Sequence, residues 1–334
     1  MLFPNDMRYI NHGSGGSAEV LLPARRPVPI PGDDEVLIEV HYAGVNRPDV
    51  QQRNGSYAPP PDASPVIGLE VSGTVVALGP NVALWRVGDA VCALCAGGGY
   101  AEYVVVNEGH CLAVPSSLTM LQAAAIPENY FTVWANVMQR ARLKAGETFL
   151  VHGGSSGIGY TAIQVARLMG AVALCTVGNK EKQEFCIGLG AALAINYRED
   201  DFVAAVNAIT NSKGVDVILD IIGGDYLPKN LSLLALDGRL AQIGFMDTPV
   251  VANMNFMTLM LKRLTIIGST LRARSVADKS QIASELKAHV MPALADGRLR
   301  IVVNSVFPLE HANQAHTRLE TNAHMGKVML QVKA

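Results

Sequence analysis

Residues 147–171 run ETFLVHGGSSGIGYTAIQVARLMGA, and three patterns follow one another within them. Thr148, Phe149, Leu150 and Val151 form a short apolar run, and Gly153, Gly154, Gly157 and Gly159 crowd a turn. Ala162, Ile163, Val165, Ala166, Leu168 and Met169 then recur at helical spacing. Strand, glycine turn and helix is therefore the expected order. Such a turn suits an anion, because side chains are absent and the first N–H groups of the helix have no partner within it.

Two chemistries share this frame. Taken as G-x-G-x-x-G, the register is Gly154, Ser156 and Gly159, with Ser in place of the middle glycine, and the ligand is the pyrophosphate of a dinucleotide. Taken as G-x-S-x-G, it is Gly153, Ser155 and Gly157, a nucleophile elbow for acyl transfer. A turn that only packs helix on strand is the third reading. The hydrolase needs an Asp and then a His further on; Asp220 with His289 or His311 keeps that order, but Gly159 and the segment before the turn go unexplained.

Working outward, residues 35–40 and 101–106 alternate apolar and polar, and 71–77 is β-branched and small, with Gly, Pro, Asn and Asp between the runs. This predicts a β-rich domain of barrel or roll type over residues 7–115. The segment 118–142 is helical in pattern. Beyond the glycine turn, strands at 172–177, 215–220, 239–244 and 264–268 are interspersed with helices at 180–189, 202–210 and 227–236. That succession predicts a doubly wound parallel sheet. The tail carries a helix over 280–296, a short strand near Ile301, a helix from His311 and a last strand over 327–332, placed to return to the first domain.

Composition narrows the function. The 334 residues, 49% of them hydrophobic, are enough for two domains, and a net charge of -2 offers no overall attraction for nucleic acid or an anionic membrane. No apolar run approaches the ~20 residues that span a bilayer, and the N-terminus lacks a signal pattern, so a cytoplasmic protein is expected. Five cysteines, an odd number, do not make a disulfide framework. Cys92-x-x-Cys95 is half of a zinc site, but His110 and Cys111 are adjacent and awkward as its second pair, so buried thiols are expected. His311, His316 and His324, spaced five and eight apart, do not share a helix face.

The end of the second strand of the sheet bears on the cofactor. NAD sites place an Asp or Glu ~20 residues after the glycine turn, on the ribose 2′-hydroxyl. Here the stretch is Thr176-Val-Gly-Asn-Lys-Glu-Lys182, with Gly178 at the strand tip and Glu181 on the following helix. Without that carboxylate, and with Lys180 and Lys182 near, a 2′-phosphate is not repelled, and NADP is favoured over NAD.

Taken together, Asn46-Arg-Pro-Asp49, Gly68-Leu-Glu70, Gly97-Gly-Gly-Tyr-Ala-Glu-Tyr103, Ala124-Ala-Ile-Pro-Glu128, the glycine turn, Asn196-Tyr197, Asp220 with Gly223-Gly224, and Gly326-Lys327 resemble the zinc-less quinone oxidoreductases. These are zeta-crystallin relatives in the medium-chain dehydrogenase/reductase superfamily. Gly268-Ser-Thr-Leu-Arg-Ala-Arg274 further resembles the subgroup containing the tumour-suppressor-inducible quinone oxidoreductase of animals. The resemblance implies a Rossmann dinucleotide-binding domain over 128–268, inserted in a GroES-like catalytic domain over 1–127 that resumes at 269–334, with the active site in the cleft between.

It also implies NADPH as cofactor, a quinone or an activated alkene as acceptor, and a homodimer. Ser156, Gly157, Ile158, Lys182 and Tyr197 would hold the pyrophosphate and 2′-phosphate, with Gly154, Gly159 and Gly178 beside them and Lys327 also at the cofactor. Gly244 and Phe245 would lie by the nicotinamide. Asn46, Gln51, Tyr57 and Thr132 would line the reaction cleft, Asn46 and Thr132 touching the cofactor as well; Gln51 replaces a Tyr of some members. Zinc-dependent alcohol dehydrogenases of the superfamily carry a Cys at Asn46, a His at Leu69 and a Cys near Glu128, so no metal is expected. An NADPH-binding protein with little turnover, as zeta-crystallin is in lens, is the non-enzymatic alternative.

Overall fold

The computed structural model describes residues 4–252 and 254–333, and its chain divides into two units, Met1–Phe131 with Arg272–Ala334, and Thr132–Leu271. The first unit begins with an antiparallel pair, β1 (Asp6–Asn11) and β2 (Leu22–Pro27). Its main strands are β3 (Glu35–Val45), β4 (Glu70–Leu78), β5 (Ala90–Leu94), β6 (Tyr103–Asn107) and β7 (Cys111–Ala113). The second unit holds β8 (Thr148–His152), β9 (Val172–Val177), β10 (Leu193–Asn196), β11 (Val215–Asp220), β12 (Leu234–Gln242) and β13 (Thr265–Gly268). The chain then returns to the first unit with β14 (Val303–Pro308) and β15 (Lys327–Gln331).

In the first unit the sheet order is β14-β15-β3-β4-β5-β7, with β6 also on β3. β3 shifts register against β4 at Leu37/Ile38 and at Val40/Tyr42, and it serves three partners along its length. Such irregularities bend a strand and raise its twist, which suits a closing sheet. Val36, Ile38, Val40, Val71, Val75, Val91, Val104, Val328 and Leu330 are buried in its core. The tail thus supplies both a strand and part of the hydrophobic interior.

The second unit is a parallel sheet of order β10-β9-β8-β11-β12-β13. Strand order reverses at β8/β11, and in such sheets ligands bind at the carboxyl ends of the strands around that point. Leu150, Leu174, Ile195, Ile218 and Leu240, one from each of five strands, pack with Phe202, Val206 and Leu231 of two helices. Each such side chain contributes roughly 1.5–3 kcal/mol by leaving water. The glycine turn sits at the end of β8, so the core holds it from below.

The expected fold class, a Rossmann doubly wound sheet plus a GroES-like β-rich unit, is the one found. Several boundaries differ. The helix expected over 227–236 is Tyr226–Leu233, because Leu234 is buried and pairs with Val215 at the start of β12. The helix expected over 280–296 begins at Val276, capped by Ser275, and breaks at Val290 before Met291–Ala295. Pro292, which has no N–H to continue the ladder, accounts for the break. The helical segment 118–142 is three pieces, Met120–Ala123, Pro127–Val133 and a π-helical stretch Trp134–Arg140. The strand near Ile301 is β14, two residues later.

Candidate active site

At the end of β8 the chain makes its turn and enters the helix Gly157–Leu168, whose first residue follows Ser156 as N-cap. The Ser156 hydroxyl accepts from the Gly159 N–H at 3.0 Å. The N–H groups of Gly157 and Ile158 therefore head a twelve-residue helix and carry the positive end of its dipole. A Cβ on Gly159 would strike the Gly153 carbonyl, and one on Gly154 would lie 2.7 Å from the Cys175 Sγ. Helix and strand approach too closely for any larger residue.

Gly178 follows β9, and the space above it is bordered by two side chains: an added Cβ would stand 3.2 Å from the Tyr197 hydroxyl and 3.5 Å from the Arg198 Nε. Asn179 caps the next helix by accepting from the Lys182 N–H at 2.9 Å, which sets Lys182 in its first turn. A hydroxyl and a guanidinium thus border a residue without a side chain, with a lysine in the first turn of the helix that follows. This is the donor set a phosphate monoester requires. Gly178, Lys182 and Tyr197 are residues the sequence led us to expect here, and Arg198 is not; its position directly after Tyr197, past the end of β10, was the available signal.

Beneath the turn runs a buried polar chain. His152, at the end of β8, is held neutral by burial, so its two nitrogens have different roles. Asn230 donates its Nδ2–H to Asp220 Oδ2 at 3.0 Å and therefore accepts through Oδ1 from His152 Nε2–H at 2.8 Å. Thr176 Oγ1–H then donates to Nδ1 at 3.0 Å. Asp220 also accepts from the N–H groups of Ile222 and Gly223. The chain ties β8, β9, β11 and the helix Tyr226–Leu233 into one rigid support. Ser155 is buried, and among the described residues no histidine reaches it, so the elbow reading has no base.

Of the remaining expected cofactor residues, the Gly244 carbonyl accepts from Gln242 Nε2 at 2.6 Å, and Phe245 is exposed with its ring near Gly223. The Thr132 carbonyl accepts from Asn136 Nδ2 at 2.8 Å.

In the first unit, Asn46 ends β3 as N-cap of the helix Arg47–Arg53, with its N–H donating to Asp49 Oδ2 at 2.7 Å. Both ends of its amide are engaged: Nδ2 donates to Glu70 Oε1 at 3.0 Å, and Oδ1 accepts from Lys327 Nζ at 2.5 Å, which leaves the second Nδ2–H to spare. Lys327 also pairs with Glu70 at 2.5 Å, the two side chains 3% and 0% exposed. Glu128 donates its N–H to Glu70 Oε2 at 2.9 Å. Lys327, expected at the cofactor, reaches Asn46, also expected there, within a buried polar cluster. Burial raises Asp49 to about 7. Burial first, and then repulsion from Glu70, raises the partly exposed Glu128 to about 8. Sequence reasoning passed over Asp49, Glu70 and Glu128 as an ionisable set; carboxylates inside apolar runs were the signal.

Gln51 contributes its carbonyl, which accepts from the N–H groups of Ser56 and Tyr57 at 2.9 and 3.2 Å. Tyr57 presents its ring to Arg272, the guanidinium carbon 5.7 Å from the ring centroid.

A parallel sheet with a phosphate turn at its switch point, in the same chain as a β-rich unit completed from the tail, is the architecture of the medium-chain dehydrogenases/reductases. Accordingly, residues 32–116 match the alcohol dehydrogenase GroES-like domain and residues 157–288 the zinc-binding dehydrogenase family. The chain is 35% identical to the human quinone oxidoreductase over 327 residues, 97% of each. Its fold superposes on an Escherichia coli quinone oxidoreductase complexed with NADPH with a TM-score of 0.85 at 28% identity, over 98% of this chain and 99% of that one. The CurK enoyl reductase gives 0.86 at 25% identity, over 99% and 100%. The chain belongs to the quinone oxidoreductase family and is an oxidoreductase.

The zinc of the superfamily does not fit this donor set. Asn46 and Leu69 offer neither thiolate nor imidazole, and the Lys327 ammonium sits against both Glu70 and Asn46. Among the described residues no group of three or more His, Cys, Asp or Glu is placed to hold a metal.

Proposed function

We propose that the chain binds NADP(H) and transfers its reducing equivalents to quinones. The observation that carries the reading is the surround of Gly178, where the Tyr197 hydroxyl and the Arg198 guanidinium lie close to the missing side chain's place and Lys182 stands in the first turn of the next helix, donors and positive charge suited to a 2′-phosphate. A carboxylate at Gly178 would be the NAD arrangement, and its absence removes the repulsion. The E. coli relative's complex with NADPH supports the same choice. Gly154, Ser156, Gly157, Ile158 and Gly159 would hold the pyrophosphate; Asn46, Thr132, Gly244 and Phe245 would be the nicotinamide's neighbours, and Gln51 and Tyr57 the acceptor's. When bound, the nicotinamide supplies hydride. The chain's own part is to orient the two planar reactants and exclude water, which needs no nucleophile.

The nearest second reading is reduction of an α,β-unsaturated carbonyl, favoured by the likeness to the CurK enoyl reductase. NADPH and NADH oxidation followed against ortho-quinones, para-quinones and enones separates the two. Turnover on quinones with NADPH preferred is expected; turnover confined to enones would replace the reading, and tight NADPH binding without turnover would make it a binding protein.

We also propose a homodimer. β13 is the edge of its sheet, and Ile266 on it and Phe256, Met257, Met260 and Leu261 before it are exposed. An unpaired edge flanked by exposed apolar side chains is suited to pairing with a second copy.

A further inference from the structure

Arg272 opens the return of the chain into the first unit and is 6% exposed. Its Nε donates to the Ala96 carbonyl at 2.7 Å, while Nη1 and Nη2, both buried, have no hydrogen-bond partner among the described residues. Among the described residues no carboxylate forms an ion pair with it. Lys279, also 6% exposed and likewise without an ion pair among the described residues, lies alongside, its Nζ donating to the Arg272 carbonyl at 2.7 Å. Two buried cations therefore stand together without a bonded counter-ion. Leaving a buried charged donor unmatched is costly, and native proteins keep such groups where something else completes them.

The surroundings indicate what that is. Tyr57 covers a face of the guanidinium, and Gly97 lies against its edge, where an added Cβ would be 3.3 Å from Nη2 and would meet the Ser64 carbonyl. Guanidinium donors point in the plane of the group, so the contact with the Tyr57 face leaves their directions free. Residues 54–69, which carry Tyr57, contain no helix or strand. The carboxyl groups that influence Arg272, those of Asp49 and Glu128, both have raised pKa values and leave the cation poorly neutralised.

We propose that Arg272, backed by Lys279, holds the oxygen of the acceptor on which negative charge develops during reduction. The proposal rests on the reductase reading above. In the step concerned, an acceptor carbon gains hydride from a reduced nicotinamide dinucleotide, and the π pair of the conjugated carbonyl moves onto its oxygen. Arg272 donates to that oxyanion until water supplies the proton. The two Nη donors form a fork, so an acceptor with two adjacent oxygens engages both and one with opposed oxygens engages a single donor.

The test uses 4-nitrocatechol, a redox-stable aromatic diol whose absorption shifts to the red when it ionises, titrated into the purified chain with NADP+ present. Wild type is expected to bind and ionise it. Arg272→Gln is expected to weaken binding at least ~10-fold, abolish the red shift, and lower kcat/KM for an ortho-quinone by ~100-fold, the usual cost of one oxyanion donor. NADPH affinity should be unchanged. Probe binding and ionisation equal to wild type in Arg272→Gln would overturn the proposal, as would an equal loss of NADPH affinity. Should that variant not fold, Arg272→Lys keeps the charge and is expected to retain the red shift while losing the ortho-quinone advantage; a folded Arg272→Lys without the shift overturns it too. A wild type that ionises the probe but reduces no quinone would instead contradict the quinone reading and leave Arg272 as an oxyanion site.

Discussion

In the function proposed above, cofactor choice rests on a residue that has no side chain. Gly178 matters through what it admits, and the groups around it are separable by mutation. Lys182→Ala and Arg198→Ala should each weaken NADPH by ~10- to 100-fold, the range for hydrogen bonds to a charged group, and leave NADH nearly unchanged. The ratio of the two dissociation constants is the readout, and equal losses would remove the 2′-phosphate assignment. Gly178 and Lys182 were legible in the sequence because strand, turn and helix have fixed lengths. Arg198 was not, because it meets Gly178 from a neighbouring strand, and that adjacency depends on sheet order.

The Lys327 ion pair was equally hidden, since it joins residues from opposite ends of the chain. Removing its ammonium leaves Glu70 buried and unmatched, so Lys327→Met should cost about 3–5 kcal/mol by urea unfolding. Adding Glu70→Gln should recover most of that loss; two additive losses would mean that the pair does not couple.

Elements reveal a different division. The unit from strand β8 through its turn to the helix Gly157–Leu168 was readable end to end, because it is local and its glycines are forced by close approach. Gly159→Val places a methyl-bearing carbon against the Gly153 carbonyl and should push the helix off the strand, destabilising by about 1–3 kcal/mol. Calorimetry with and without NADPH would detect both the lower Tm and the smaller shift on adding cofactor; a full shift would argue that the turn does not bind the pyrophosphate.

Less readable was the element that supports Asp49. Arg53 Nη1–H donates to His316 Nδ1 at 3.2 Å, His316 Nε2–H to the Tyr100 oxygen at 3.0 Å, and Tyr100 O–H to Asp49 at 3.4 Å. Burial lowers His316 to about 3, which keeps it neutral and fixes this direction. The helix Ala312–Glu320 thus positions the helix Arg47–Arg53. The spacing of His311, His316 and His324 rightly ruled out a shared helix face but could not show that one of them is a structural relay.

At the scale of the molecule the carboxyls with raised pKa values make stability depend on pH in an unusual sense. Glu128 titrates near 8 folded against an ordinary value of 4.5, so between these the folded chain holds a proton that the unfolded chain has released. Stability from this group therefore falls as pH rises from about 4.5 to about 8, and is level beyond. Glu128→Gln should match wild type near pH 4.5 and exceed it at pH 9; parallel curves of unfolding free energy against pH would contradict the assignment. Assembly is tested at the same scale. Ile266→Asp on the edge strand should yield monomers by sedimentation, with the fold retained; an unchanged sedimentation coefficient would move the interface elsewhere.

One feature of the fold bears on how the protein is made. β15 lies between β14 and β3, so the sheet built on β3 is completed by the last of the described strands. The second unit, drawn from one continuous segment, can close as soon as it leaves the ribosome, while the earlier unit waits with an unfilled seam beside β3. Until Lys327 emerges, Glu70 lacks the cation that accompanies it indoors, and the half-built sheet exposes a strand edge. Nascent chains arrested near residue 320, with the second unit clear of the exit tunnel and Lys327 not yet made, should accordingly show a protease-resistant second unit and a digestible first one.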